Sequence, residues 1–170
     1  MKATCLLLLM LLFSCKDGSN AEASIKPETF NVYVNLISKA DDDFCLLYTQ
    51  DNSINFSDGV WVAVKGNDAE QTVSFSLPKD VLPSQLRLDL GKNKKQSEVV
   101  IKSIKFEYLG KSREIKGFEM GAFFRPDNSK CSFDSNTGVV KAIIKDGVNQ
   151  GLSLYPHESI LAAELPKLYK

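Results

Sequence analysis

The sequence predicts an all-β chain, a single antiparallel β-sandwich of jelly-roll-like form. Three observations predict it. Hydrophobic residues recur at a period of two through most of the chain after Thr29. The runs they form are short, rich in β-branched and aromatic side chains, and bounded by Asp, Asn, Gly and Pro. Helical periodicity is confined to one segment near the C-terminus. The composition agrees with one globular domain: 170 residues, 44% hydrophobic and 25% charged. A chain of this size buries roughly 68–70% of its unfolded surface, so the core needs neither a metal nor a disulfide staple.

The strands follow in order. Phe30, Val32, Val34 and Leu36 alternate with Asn31, Tyr33 and Asn35; Phe44, Leu46 and Tyr48 follow, then Val60, Val62 and Val64, then Val73, Phe75 and Leu77. Leu86, Leu88 and Leu90 alternate cleanly with Gln85, Arg87 and Asp89. In residues 98–109 the phase changes: Val99 and Ile101 fall on one side, Ile104, Phe106 and Tyr108 on the other. One extra residue near Lys102-Ser103 brings both sets to one face, which predicts a β-bulge there. Further strands are expected around 112–116, 118–124, 138–144 and 151–155. The helix is expected at 157–165, with Pro156 in its first turn and Pro166 ending it.

The N-terminus reads as an address. Lys2 precedes an apolar run, and from Ala3 to Ser14 the segment is only twelve residues long. A bilayer-spanning helix needs about 20 residues, so residues 1–14 read as a signal peptide. Leu12-Phe13-Ser14-Cys15 resembles the lipobox of bacterial lipoproteins. That resemblance implies cleavage before Cys15, lipidation of its sulfur and a membrane partner reached through the acyl chains, which together anchor firmly. Lys16 in the following position resembles outer-membrane sorting. Lys16-Asp17 is a partial match to the export signal of surface lipoproteins in the Bacteroidota; display on the periplasmic face is the alternative. Residues 15–28 are then the lipidated cysteine and a small, polar tether, and residues 29–170 the sandwich.

A second resemblance covers roughly residues 30–110. Asp43-Phe44-x-Leu46-x-Tyr48, Gln71-x-Val73-x-Phe75-x-Leu77-Pro78, Leu86-Arg87-Leu88-Asp89 and Ile101-x-x-Ile104 occur in that order. The series is similar to β-sandwich accessory domains of bacterial cell-envelope glycosyltransferases, which are like carbohydrate-binding modules in outline. It implies a fold and carries no catalytic motif.

Chemistry-bearing residues are few. His157 is the single histidine, so a Ser-His-Asp triad has one place to be built, and no G-x-S-x-G elbow accompanies it. No catalytic residue, metal site or cofactor is assigned. Cys45 and Cys131 are the cysteines left after Cys5 and Cys15; in an oxidising compartment they can form one disulfide or stay apart, with Cys45 in an expected strand and Cys131 in an expected polar loop. Asp41-Asp42-Asp43 is a solvated loop before a strand or, with Asp51-Asn52 or Asp127-Asn128, part of a calcium shell; EF-hand spacing is missing.

Trp61 has two readings. If Val60, Val62 and Val64 face the core, Trp61 is exposed, as a sugar-stacking ring must be; if its strand is buried on both sides or in the opposite phase, Trp61 is core, and that reading weighs more. Arg87 and Asp89 are the polar ligand-binding candidates. The 21 basic and 21 acidic residues cancel, which argues against a nucleic-acid partner. The charge is nonetheless uneven, acidic over 41–80 and basic over 91–116. The expected function is therefore a non-catalytic, lipid-anchored envelope module that binds glycan. The alternatives are a protein-interaction subunit of an outer-membrane transport or assembly complex, and a glycan-active enzyme with two carboxyls hidden among the acids.

Overall fold

The computed structural model describes residues 28–93 and 95–170. Cys15, the signal segment and all of the tether but its last residue lie outside the described residues. What is described is an antiparallel sandwich of two main sheets. The first sheet is built from β1 (Asn31–Ser38), β4 (Asn67–Ser76), β6 (Glu98–Tyr108), β7 (Lys111–Lys116), β9 (Cys131–Asp134) and β10 (Val139–Ala142). Its order is β4-β1-β6-β10-β9, and β7 also pairs with β6. The second sheet has the order β3-β2-β5-β13-β8, from β2 (Asp42–Thr49), β3 (Asp58–Val64), β5 (Gln85–Asp89), β8 (Phe124–Pro126) and β13 (Ser153–Pro156). The chain changes sheet at most of its connections, which is jelly-roll-like. A small hairpin of β11 (Ile144–Lys145) and β12 (Val148–Asn149) stands apart from both sheets.

The core is the set that the alternation selects. Phe30, Val32, Val34 and Leu36 from the first sheet meet Phe44, Leu46, Leu86 and Leu88 from the second, all fully buried. The bulge stands where the phase change requires it. Asn35 pairs with Ser103 and Leu36 with Ile101, so Lys102 is the extra, exposed residue, and Ile101 and Ile104 both reach the core. Gly138 completes this corner. Its φ is +77°, and a Cβ there would lie 1.9 Å from the Ile101 carbonyl oxygen, which accepts no such neighbour.

Three expectations need correction. Residues 118–124 are not a strand. Gly117 turns the chain off β7 at φ +57°, and a 3₁₀ turn (Gly117–Glu119) leads into α1 (Met120–Phe123). Met120 and Phe123, three apart, are buried while Phe118 is 79% exposed, a helical spacing that strand alternation does not produce. Phe123 stacks on Phe106 of the core at 6.3 Å.

Cys131 is not in a polar loop but is the buried first residue of β9. The C-terminal helix, α2 (Glu158–Glu164), starts later than expected. Pro156 ends β13, His157 is the N-cap, and Pro166 sits inside a following 3₁₀ turn, where its missing N–H costs nothing. Among the described residues no helix is long and apolar enough to cross a membrane.

Candidate functional site

The outward face of the second sheet carries the candidate site. On β3, Val60 and Val62 are partly buried against the core, so Trp61 must point the other way; it is 54% exposed. The core reading of Trp61 is thereby corrected: β3 is an edge strand with one wet face. Register then lays out a row. Trp61 lies opposite Cys45 on β2, Cys45 opposite Asp89 on β5, and Asp89 opposite Ser153 on β13. Arg87, two residues before Asp89, shares its face.

Trp61, Arg87 and Asp89 line one depression of about 330 Å³, together with Asp43, Lys92, Lys130, Asn149 to Leu152, and Ser153. Arg87 donates to both Asp89 oxygens, Nε to Oδ1 and Nη2 to Oδ2, each at 2.9 Å. This bidentate pair is about four-fifths buried and fixes the middle of the floor. The other side of the Arg87 guanidinium rests 4.5 Å from the Tyr155 ring centre, and Arg125 lies 5.6 Å from the same ring. The Lys92 ammonium sits 4.4 Å from the Trp61 ring centre.

Loops bank the depression, and side chains that looked like a metal shell hold them. Asp42 accepts the backbone N–H groups of Lys92 (2.8 Å) and Asn93 (3.0 Å), which positions Lys92 over the indole. Asp41 accepts from Lys65 (2.7 Å) and from the Gly66 N–H (2.8 Å). These contacts, the Lys65 and Gly66 ones first, keep the Asp41 carboxyl below its ordinary range. The acidic run therefore spends two of its three carboxylates on loop closure, and only Asp43 reaches the depression. Among the described residues, no three His, Cys, Asp or Glu side chains converge as a metal shell.

Asn149 ties the opposite bank, donating to the Gln96 carbonyl and accepting the Gly151 N–H at 2.7 Å. The turn at residues 127–130 makes the third bank. Asp127 takes the Ser129 hydroxyl (2.6 Å) and N–H (3.0 Å), and the Asp127 N–H bonds to the Ser153 carbonyl at 2.9 Å. The Ser129 hydroxyl is the main reason the Asp127 carboxyl lies below its usual range.

The possible disulfide is not formed: Cys45 and Cys131 are both free, buried thiols. Cys45 leans toward β3, its Sγ 2.8 Å from where a Cβ on Gly59 would stand. Cys131 leans on Ser153, its Sγ 3.3 Å from that carbonyl oxygen. Cys45 and Ser153 are two strand spacings apart, about 10 Å, whereas bridged cysteines have Cα atoms about 4.4–6.8 Å apart. Burial, and then the Asp89 charge, push the Cys45 thiol up; burial also pushes up Cys131. The Cys45 sulfur acts as a small apolar filler, whereas the Cys131 sulfur donates to the Ser153 carbonyl and accepts the Ser153 N–H. His157 stands at the α2 N-cap with no capping bond from its side chain.

No protein-family model, characterised protein or solved structure matches this chain. Sequence reasoning reached Trp61, Arg87 and Asp89, which the register brings to one face on β3 and β5, either side of β2. It missed Lys92, Lys130, Asn149 and Tyr155, which loops and a distant strand deliver to the same place.

Proposed function

We propose that this protein is a non-catalytic glycan-binding module, tethered to the cell envelope by lipid on Cys15, with its site in the Trp61 depression. The observation that carries the reading is the pairing of an exposed indole with a fixed polar floor. A pyranose has apolar C–H faces for the ring and hydroxyls for a carboxylate, a guanidinium and amides, and the depression offers both kinds of partner side by side. Trp61 is the only tryptophan, so its fluorescence reports on the site alone. Titration of the full chain in detergent with bacterial envelope polysaccharides is expected to give a saturable change, absent in Trp61→Ala with an unchanged melting temperature. Calorimetry that detects no glycan binding anywhere in such a panel overturns the reading and moves the weight to a protein partner at the same face. Anchoring has a separate test: Cys15→Ala is expected to release the chain from membranes and to abolish acyl labelling.

One observation favours a second reading, glycan hydrolysis. Asp43 and Asp89 both line the depression. They are diagonal neighbours across the β2–β5 pair, about 7–8 Å apart with the Cβ atoms somewhat nearer, close enough for the two carboxyls to reach the separations of about 5–9.5 Å that glycosidase pairs use. Against it, Arg87 holds both oxygens of Asp89, which leaves that carboxyl placed as a structural anchor. New reducing ends on prolonged incubation with a bound glycan, lost in Asp43→Asn, would decide for the enzyme.

A further inference from the structure

We infer that the ligand is an oligosaccharide several sugars long, lying across the strands of the second sheet from Trp61 to a second depression beyond Tyr155. This inference rests on the glycan reading above and adds the extent and direction of the bound chain.

The second depression has a volume of about 370 Å³ and is lined by Ile54, Arg125, Asp127 to Ser129, and Tyr155. It is not independent of the first. The 127–130 turn banks both, with Lys130 facing the Trp61 side and Asp127, Asn128 and Ser129 facing the other. The floor is also continuous, because Arg87 of the first depression packs on Tyr155 of the second.

The two ends repeat one chemical theme. Trp61 is exposed at one end; at the other, Ile54 is 41% exposed and Phe56 meets Tyr155 edge-on at 6.2 Å. Between them lies the polar Arg87–Asp89 pair. Apolar, polar, apolar along one line suits an extended chain that alternates C–H faces and hydroxyl edges.

Register gives the length. From Trp61 to Ser153 the row crosses β3, β2, β5 and β13, three spacings of about 4.8 Å, and Tyr155 is two residues further along, about 7 Å. The direct span is about 16 Å, longer than any single sugar ring. A monosaccharide can occupy one end only, so affinity is expected to grow with chain length until both ends are covered.

The test is a length series on the full chain in detergent, by calorimetry. The probes are di-, tetra- and hexasaccharides of β-1,4-glucan, α-1,4-glucan, β-1,4-mannan and α-1,4-galacturonan. The expected result is that, in the series that binds, the hexasaccharide binds at least tenfold tighter than the disaccharide. The double variant Ile54→Ala/Asn128→Ala alters exposed side chains at the far end only. It is expected to cut hexasaccharide affinity at least fivefold while leaving the disaccharide unchanged. Binding that needs Trp61 but is equal for two and six sugars overturns this inference and leaves the glycan reading standing. A length advantage that survives the double variant overturns the assigned path. Failure of every series to bind while an envelope polysaccharide still binds overturns this inference alone, and failure of both overturns the glycan reading with it.

Discussion

The two outer faces of the sandwich carry depressions of similar size and opposite character. On the first sheet, a hollow of about 480 Å³ is lined by Tyr33, Asn35, Thr72, Ser103, Lys105, Glu107 and Glu114. Every one of these is a strand residue, so no loop rises beside them. The charges there answer one another: Lys105 pairs with Glu107 and lies opposite Glu114, and Asn35 donates to Glu70. On the second sheet the hollow is smaller, but loops at 91–93, 127–130 and 149–151 wall it, and Trp61 stands out into solvent. The larger hollow is a pleated surface with satisfied side chains, whereas the smaller one is a built recess. Walls and an unburied ring, rather than volume, separate a site from a surface.

The sharpest way to break that contrast is a matched pair of ring deletions. Trp61→Ala is expected to weaken glycan binding at least tenfold, about 1.4 kcal/mol or more, while Tyr33→Ala on the opposite face changes affinity by less than twofold. Equal losses in the two variants, read by calorimetry, would erase the distinction between the faces.

A second pair compares ion pairs. Arg87 and Asp89 are 18% and 25% exposed; Lys105 and Glu107 are 39% and 20% exposed. Arg87→Ala strands Asp89 on a half-dry floor and uncovers Tyr155, so a stability loss of about 1–3 kcal/mol is expected. Lys105→Ala removes one partner of a surface pair and should cost less than about 1 kcal/mol. Denaturant midpoints at constant slope measure both.

Acid gives a smaller and more selective effect. In the folded chain the Asp127 carboxyl lies below its usual range, held there first by the Ser129 hydroxyl. A lowered folded value means the carboxylate bonds stabilise the turn above the unfolded pKa of about 3.9 and are lost as pH falls through the folded value. The 127–130 bank should therefore loosen only below about pH 4. The readout is the ratio of hexasaccharide to disaccharide affinity, in which effects common to every ligand at the Trp61 end cancel. That ratio is expected to fall on acidification in the native chain and to be already low and flat in Asp127→Ala. A ratio that ignores pH in the native chain removes the turn from the site.

Much of this layout was legible in the sequence because strand alternation is a local rule. Leu86, Leu88 and Leu90 face inward, so Arg87 and Asp89 must face out together, and the phase slip between Ile101 and Ile104 marks the bulge. Trp61 was harder, since the alternation of a valine-rich strand is compatible with burial on both faces; only the position of β3 at a sheet edge resolves it. The 118–124 segment misled because FEMGAFF is apolar enough for a strand, and what turns it helical is Gly117 at positive φ together with the space over Phe106. Lys92 and Asn149 were beyond any local rule, because Asp42 holds the one and the Gln96 carbonyl the other through bonds between loops about 50 residues apart. Lys130 is placed by a local turn on Asp127, but that the turn reaches this site depends on the pairing of distant strands.

The smallest effect compares two hairpins. In the β11–β12 hairpin beside the recess, the turn is Asp146-Gly147, with φ of +51° and +74°. In the β6–β7 hairpin of the first sheet it is Leu109-Gly110, with φ of +48° and +81°. Both are two-residue turns that need left-handed backbone at each position, a conformation Asp and Gly accept and Leu resists. Leu109 is also 45% exposed, so its side chain recovers little by burial. Leu109→Asn should therefore raise stability by about 0.5–1 kcal/mol, a rise of a few degrees in melting temperature, with glycan affinity unchanged. The reverse exchange, Asp146→Leu, should lower stability by a similar amount and, because β12 carries Asn149 to the rim, also weaken binding. A Leu109→Asn variant that melts lower than the native chain would mean that Leu109 makes a contact worth more than its strain, and that the first sheet's outer edge is less inert than its paired charges make it.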